Sequence, residues 1–423
     1  MNRTFAFSLC ILGLWSHGLT RGEEWNQFRG SDFNRTSLTS VAKTWDVGAI
    51  AWKTPLLGRG ASSPVVFGDH IYLTAFTGYA VDKEQPGDPT KLVRHLFCFD
   101  AGTGQKLWQR SIADPSEKDI FSSWGTAKAG YASSSATTDE SGVYVLFGAS
   151  GVIAFDHDGI ERWRTFVGDD THEYPAGTSP IMYEDLVIVN ASYECGDLIA
   201  LHKEDGTEAW RQEGIEQAWN TPVIYQTVNG HDELAISAVG EIRAVDPRTG
   251  ERRWHCEGFE EYVCPSITVQ DGVLYAIGGR QGEALAVRSG GTGDVTDTHR
   301  MWKIAEGANV SSPVYQDGYL YWAKDKGGIA YCVNAGTGEV VYEQRFRPSS
   351  KEIYATPLLA NGRLYYVSRE NGIFVLAARP EYELLSHTDL GDDSLFAASP
   401  VLLADGSVLL RSDRFLYRIK PAE

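Results

Sequence analysis

Short runs of alternating apolar and polar residues fill this chain, and each is introduced by the same phrase. Two small residues and a proline lead into an apolar pair, a turn and a longer stretch of β-formers. The phrase appears as Ser62-Ser63-Pro64, Thr178-Ser179-Pro180, Asn220-Thr221-Pro222, Val263-Cys264-Pro265, Ser311-Ser312-Pro313, Ala355-Thr356-Pro357 and Ala398-Ser399-Pro400. An eighth copy has Ala136 in the proline position, and its Val143-Tyr144-Val145 keeps the spacing that Ile71-Tyr72-Leu73 has after Pro64. Successive copies lie 72, 44, 42, 43, 48, 44 and 43 residues apart. A period in the low forties is that of a four-stranded propeller blade. The long first interval holds two insertions, one near Val81 to Val93 and one from about Ile112 to Tyr131.

A second phrase closes most copies: Asp, two residues, Thr-Gly, three residues, Trp. It is complete from Asp100 to Trp108 and from Asp246 to Trp254. Looser versions run from Asp156 to Trp163, His202 to Trp210 and Asn334 to Tyr342, and an insertion around Gly290 to His299 delays Trp302. Thr-Gly suits the hairpin between the third and fourth strands, because glycine accepts positive φ. A tryptophan on the fourth strand then reaches the seam with a neighbouring blade. Trp52, Trp108, Trp163, Trp210, Trp254, Trp302 and Tyr342 are therefore expected to dock blade on blade.

The last copy ends early. After Val408 to Leu410 and Leu416 to Ile419 the chain stops at Glu423, without a fourth strand or its tryptophan. Both are present at the other terminus, in Ile50-Ala51-Trp52-Lys53-Thr54. The expected fold is all-β: an eight-bladed β-propeller of four-stranded antiparallel blades, closed by the N-terminal strand, so that no long edge is left free.

Composition narrows the setting. With 43% hydrophobic and 22% charged residues, 44 Gly and 12 Trp, the chain suits a turn-rich globular protein. A net charge of −18 without a basic stripe argues against nucleic acid. Residues 1–22 read as a signal peptide: Asn2-Arg3, then an apolar Phe5 to Trp15 too short to span a bilayer, then small residues. A membrane anchor is the alternative reading of that stretch. Residues 23–44 are taken as an N-terminal extension and 45–421 as the propeller of a periplasmic or secreted monomer. Five cysteines remain after export, an odd number with no CxxC pair, so no disulfide framework is implied. Cys256 and Cys264 could meet across one blade junction.

Loops joining each outer strand to the next inner strand gather at one mouth of the channel. The residue three before each proline should recur around that mouth: Ala61, Ser133, Gly177, Trp219, Tyr262, Val310, Tyr354 and Ala397. Trp219, Tyr262 and Tyr354, with Arg59, His172, Tyr174, Asn220 and Asn309 nearby, form the candidate site for a small molecule or a protein. Plugging the channel is the competing role for these rings. Asp169 to Glu173 reads as a solvated acidic loop rather than a metal site. No catalytic residue, metal ligand or phosphate loop is identified; Gly102-Thr103-Gly104 leads into no helix.

The repeated Asp-x-x-Thr-Gly-x-x-x-Trp phrase behind a signal segment resembles the quinoprotein-type propeller repeat, over about Thr44 to Pro421. Trp25-Asn26-Gln27-Phe28-Arg29-Gly30 also resembles the segment preceding the propeller in bacterial PQQ-like repeat proteins. That group includes pyrroloquinoline quinone (PQQ) dehydrogenases and non-enzymatic relatives such as the BamB-like component of outer-membrane β-barrel assembly. The dehydrogenases usually carry two adjacent cysteines over the cofactor and a Ca2+ site beside a catalytic Asp. This chain has no Cys-Cys pair. The resemblance thus leaves three functions: an extracytoplasmic ligand- or protein-binding scaffold without a cofactor, a PQQ- and Ca2+-dependent dehydrogenase of alcohols or sugars, and an envelope assembly factor.

Overall fold

The computed structural model describes residues 25–33, 35–36, 41–82, 84–113, 130–170, 174–280 and 282–421. The expected signal peptide and His172 lie outside the described residues. The rest forms eight four-stranded antiparallel blades around a central channel. The first blade comprises Val65–Phe67, His70–Thr77, Val93–Asp100 and Lys106–Ala113, from the channel outward. Inner strands of the next six blades are Thr137–Asp139, Ile181–Tyr183, Val223–Gln226, Thr268–Gln270, Val314–Gln316 and Leu358–Ala360.

The eighth blade joins the two ends of the chain. Val401–Leu402, Val408–Arg411 and Phe415–Ile419 supply its inner three strands, and Ile50–Pro55 supplies the outer one. Ile50 pairs with Ile419 and Pro55 with Phe415 in antiparallel register. The closing strand alternates half-buried and exposed residues, as a strand with one covered face must. Middle strands are covered on both faces, and Leu186–Ala191 is buried throughout. Apolar seams between successive blades make up the core. In one of them Tyr144, Leu146 and Val152 of the second blade pack with Val187, Val189 and Ile199 of the third.

Two hydrogen-bond systems repeat around the ring. In the closing phrase, the Asp100 carboxylate accepts from Thr103 N–H and Thr103 Oγ1 at 2.7 and 2.6 Å, folding the turn on itself. Those bonds hold its pKa below the usual carboxylate value. Each turn also receives the previous blade's indole. Nε1 donates to the carbonyl after the Asp position in the pairs Trp52–Ala101 (3.3 Å), Trp108–His157 (2.8 Å), Trp163–Lys203 (2.9 Å), Trp210–Pro247 (3.1 Å) and Trp302–Ala335 (2.9 Å). The turn glycine lies under that ring. A Cβ on Gly206, at φ +73°, would stand 2.5 Å from the Trp163 ring. Positive φ is thus only half the reason for glycine there; the indole leaves no room for a side chain.

Trp254 and Tyr342 depart from this pattern. Trp254 donates to Glu233 Oε2 at 2.9 Å within its own blade and is fully buried. The insertion in the fifth repeat, whose Gly293–Asp294 adds a parallel fifth strand beside Arg252–Glu257, brings Val295 into the same apolar cluster as this ring. Tyr342 meets Tyr382 edge-on at 5.7 Å. The five cysteines among the described residues are all free, so the suggested meeting of Cys256 with Cys264 forms no disulfide.

Candidate functional site

The small residues that open each repeat build the channel wall. Ser63 N–H donates to Ser135 Oγ (2.8 Å), Ser135 N–H to Ser179 Oγ (3.0 Å), and Ser179 N–H to Thr221 Oγ1 (3.0 Å). The series continues through Ser266 (3.1 Å), Ser312 (3.0 Å), Thr356 (3.4 Å) and Ser399 (3.0 Å), and Ser399 N–H returns to Ser63 Oγ at 3.0 Å. Each inner strand is thereby tied to the next in a closed circuit. It also corrects the sequence register in the fifth blade. Ser266 takes the place of the hydroxyl before proline and Ile267 takes the place of the proline, so Pro265 lies in the preceding loop, two residues out of register.

The N-terminal segment plugs the channel below this ring. Val66 N–H donates to Trp25 O at 2.8 Å and Thr138 N–H to Asn26 O at 2.9 Å, bonding the segment to the first two inner strands. Arg29, buried, crosses to the opposite wall. It donates to Ile267 O (2.9 Å), Thr268 Oγ1 (2.7 Å) and Pro313 O (2.9 Å). Burial lowers its pKa to about 9, and carbonyl oxygens rather than a carboxylate hold the guanidinium. Every one of these partners lies one to three residues past a ring hydroxyl, so the plug sits one layer deeper. Arg35–Thr36 then pairs with Leu358–Ala360, and Trp45 stacks on Tyr365 at 4.4 Å.

Above the plug is a cavity of about 230 Å3. Phe28 lines it together with Ser63, Ser266 and Ser399 of the ring, and all eight loop positions counted back from the repeat markers line it as well. Trp219 sits at the centre of an aromatic group. Its ring lies 3.9 Å from Tyr193, 5.6 Å from Tyr262 and 6.2 Å from Tyr174, and its Nε1 donates to Pro175 O at 3.3 Å. Tyr354 completes the wall, with the Arg369 guanidinium 5.1 Å from its ring centre.

Beside the hydroxyls of the ring, the lining carries Asn309, Asp325 and Lys326. Asp325 is 5% exposed, and its Oδ1 accepts from Asn309 N–H at 3.2 Å. The Asn309 side-chain oxygen is buried without a hydrogen-bond partner. Burial pushes the Cys264 thiol up to about 12, so it is neutral at pH 7 and no nucleophile. Among the described residues Lys326 is the one cationic side chain of the lining, and it is exposed.

Of the residues singled out in the sequence, Tyr174, Trp219, Tyr262, Asn309 and Tyr354 meet at this cavity. Two do not. Asn220 is buried in the wall, where its Nδ2 donates to Ser237 O at 2.5 Å and Val263 O at 3.3 Å. Both ends of its amide serve backbone, since Oδ1 accepts from Ser237 N–H, and a spent amide is not a ligand group. Arg59 is exposed and pairs through its backbone with Phe76. Phe28, Cys264, Asp325 and Lys326 were not anticipated. Phe28 carried a signal, in the Trp-Asn-Gln-Phe-Arg-Gly match; Asp325 lies in a hairpin with none.

Comparison with known proteins follows the same architecture. The profile of a family described as outer membrane protein assembly factor BamB matches residues 94–258 and 270–381, more than half of the chain. The outer membrane protein assembly factor BamB of Burkholderia pseudomallei (strain K96243) is 22% identical over 402 residues, 91% of each chain. The crystal structure of BamB from Moraxella catarrhalis superposes with a TM-score of 0.58 at 15% identity, covering 88% of this chain and 98% of that one. A quinohemoprotein alcohol dehydrogenase from Comamonas testosteroni gives 0.67 at 12% identity, over 94% and 80%. At such identities the likeness is one of fold, shared by an assembly factor and an enzyme alike.

Proposed function

Because the chain belongs to the BamB outer-membrane assembly-factor family, we propose that it is a protein-binding scaffold of the extracytoplasmic space that serves outer-membrane protein assembly. It engages its partner through the aromatic mouth of the channel. The observation that carries this reading is the convergence of Trp219, Tyr174, Tyr262 and Tyr354 on one cavity at the loop face. Large amphipathic rings grouped in a pocket are the side chains that dominate protein interfaces. The signal-like sequence of residues 1–22 accords with this placement. Among the described residues no helix is long and apolar enough to cross a membrane.

The donor set speaks against the dehydrogenase reading. A tricarboxylate quinone with Ca2+ needs several cations for its carboxylates and several oxygens for the metal. Among the described residues the lining holds one ammonium, Lys326, and one carboxylate, Asp325. Among the described residues no group of three or more His, Cys, Asp or Glu side chains is placed to hold a metal ion.

Site-specific crosslinking tests the proposal. A photoreactive residue at Tyr262 should trap a discrete protein partner in native envelopes. The same residue at Leu385, exposed on an outer strand, should not. Crosslinks from Leu385 alone would place the partner on the outer wall and contradict the reading.

A further inference from the structure

Asp325 and the rings around it define what this cavity can hold. We propose that it binds a small organic ammonium group, whose charge is met by Asp325 and whose alkyl surface packs on Trp219, Tyr262 and Tyr354. The inference rests on reading the channel mouth as the binding site and adds the chemistry of its occupant.

The carboxylate is the main evidence. Asp325 is almost fully buried, yet among the described residues no cation forms an ion pair with it. Its side chain accepts one hydrogen bond, from Asn309 N–H to Oδ1, and opens on the cavity. Two other buried carboxylates, Asp197 and Glu233, have strong donors. Asp197 pairs with Arg211 at 2.5 Å, and Glu233 accepts from Tyr225 and Trp254. Leaving a buried carboxylate without a counter-charge is costly, and a bound cation relieves that cost.

The walls favour an alkylated cation over a hydrated metal ion. Faces of Trp and Tyr attract ammonium groups through the ring quadrupole and supply apolar contact for attached methyl or methylene groups. Cys264, held neutral, adds no second negative charge. A single carboxylate beside Lys326 matches one positive charge, not two. Free choline-like molecules and lysyl side chains share this chemistry, and the test separates them.

Calorimetric titration of the exported chain with choline, with a short peptide carrying one lysine, and with 3,3-dimethylbutan-1-ol, the uncharged isostere of choline, is the experiment. At least one cationic probe should bind, and the one that does identifies the source. The neutral isostere should bind at least ten-fold more weakly. Asp325→Asn should weaken cation binding at least ten-fold with an unchanged circular dichroism spectrum, and Lys326→Gln should strengthen it. Equal binding of choline and its isostere, full binding by Asp325→Asn, or no binding of either cation overturns the proposal. The two readings fail separately. Absent cation binding with rim crosslinks intact removes the ammonium site alone, and choline binding without rim crosslinks removes the protein partner alone.

Discussion

Ser399 N–H donates to the hydroxyl of Ser63 at 3.0 Å, across 336 residues of sequence. This bond closes the circuit of eight hydroxyl–amide contacts around the channel. In a propeller each blade is held by its neighbours, so one broken link is felt by the two blades it joined. Ser63→Ala leaves the buried Ser399 N–H without its acceptor, which costs ~1–3 kcal/mol. A lower denaturant midpoint with an unchanged slope is expected; a midpoint equal to the parent's would show that the ring contributes nothing.

The closing strand adds an ionic latch. Lys53 Nζ lies 2.7 Å from Asp392 Oδ2, and Tyr417 and Ser394 also donate to that carboxylate. Partial burial pushes the Asp392 pKa up, but these hydrogen bonds outweigh it and hold the group well below the usual carboxylate range. A depressed folded-state pKa gives stability that is present above the unfolded value of ~3.9 and lost as pH falls through the folded one. Asp392→Asn should therefore cost about 1 kcal/mol at pH 7, a modest figure because solvent screens the pair. The difference between the two proteins should hold down to about pH 5 and shrink below pH 4. A difference that does not vary with pH would refute the latch.

Deleting Ala49 to Thr54 removes this latch, the outer strand of the eighth blade and Trp52 together. The whole ring should lose stability, seen as a fall of the main thermal transition. A deletion protein that melts within a degree or two of the full chain would contradict closure by the N-terminal strand.

Burial of the outer-strand indoles and the indole-on-glycine contact each predict an ordering of substitutions. Trp254→Ala, at a fully buried ring, should cost about 4–5 kcal/mol, and Trp108→Ala, at a half-buried one, about 3. Gly206→Ala should cost about 2–4 kcal/mol, because its Cβ meets the Trp163 ring at positive φ. Gly230→Ala is the control: φ is again positive, at +79°, but nothing lies within 4 Å. Denaturant midpoints decide; equal effects at Gly206 and Gly230 would leave backbone conformation as the whole reason for glycine.

Much of the fold was legible because it is periodic. Blade number and strand closure follow from spacing, and so does the placing of Trp219 and Tyr354 on one cavity; Tyr262 reaches it too, but the true register position in its blade is Cys264. The misreading in the fifth blade is instructive. Pro265 looked like the marker, but the hydroxyl is the part with a physical task, and Ser266 carries it. Asn220 was misassigned because proximity in sequence says nothing of side-chain direction; its amide turns into the wall. Asp325 was not legible at all, and Phe28 only through its family-like segment, which did not place it at the cavity. One arrives from a hairpin and the other from before the propeller, so neither repeats with the blades.

Arg29 provides a test of the plug. Arg29→Ala strips three bonded acceptors at the starts of the fifth and sixth inner strands of their charged donor and should cost ~2–4 kcal/mol. Phe28→Ala enlarges the cavity from below and should slightly change the binding of any occupant while leaving the ring intact. If Arg29→Ala is as stable as the parent, the segment does not anchor the channel.

The account's central claim is that the aromatic mouth is where this protein acts. Its most direct test is complementation. In a strain lacking the protein, folded outer-membrane proteins should fall, and the wild-type chain should restore them. The Trp219→Ala, Tyr262→Ala, Tyr354→Ala triple variant should be exported and keep the circular dichroism spectrum of the parent, yet fail to restore them. Full restoration by the folded triple variant would contradict the claim.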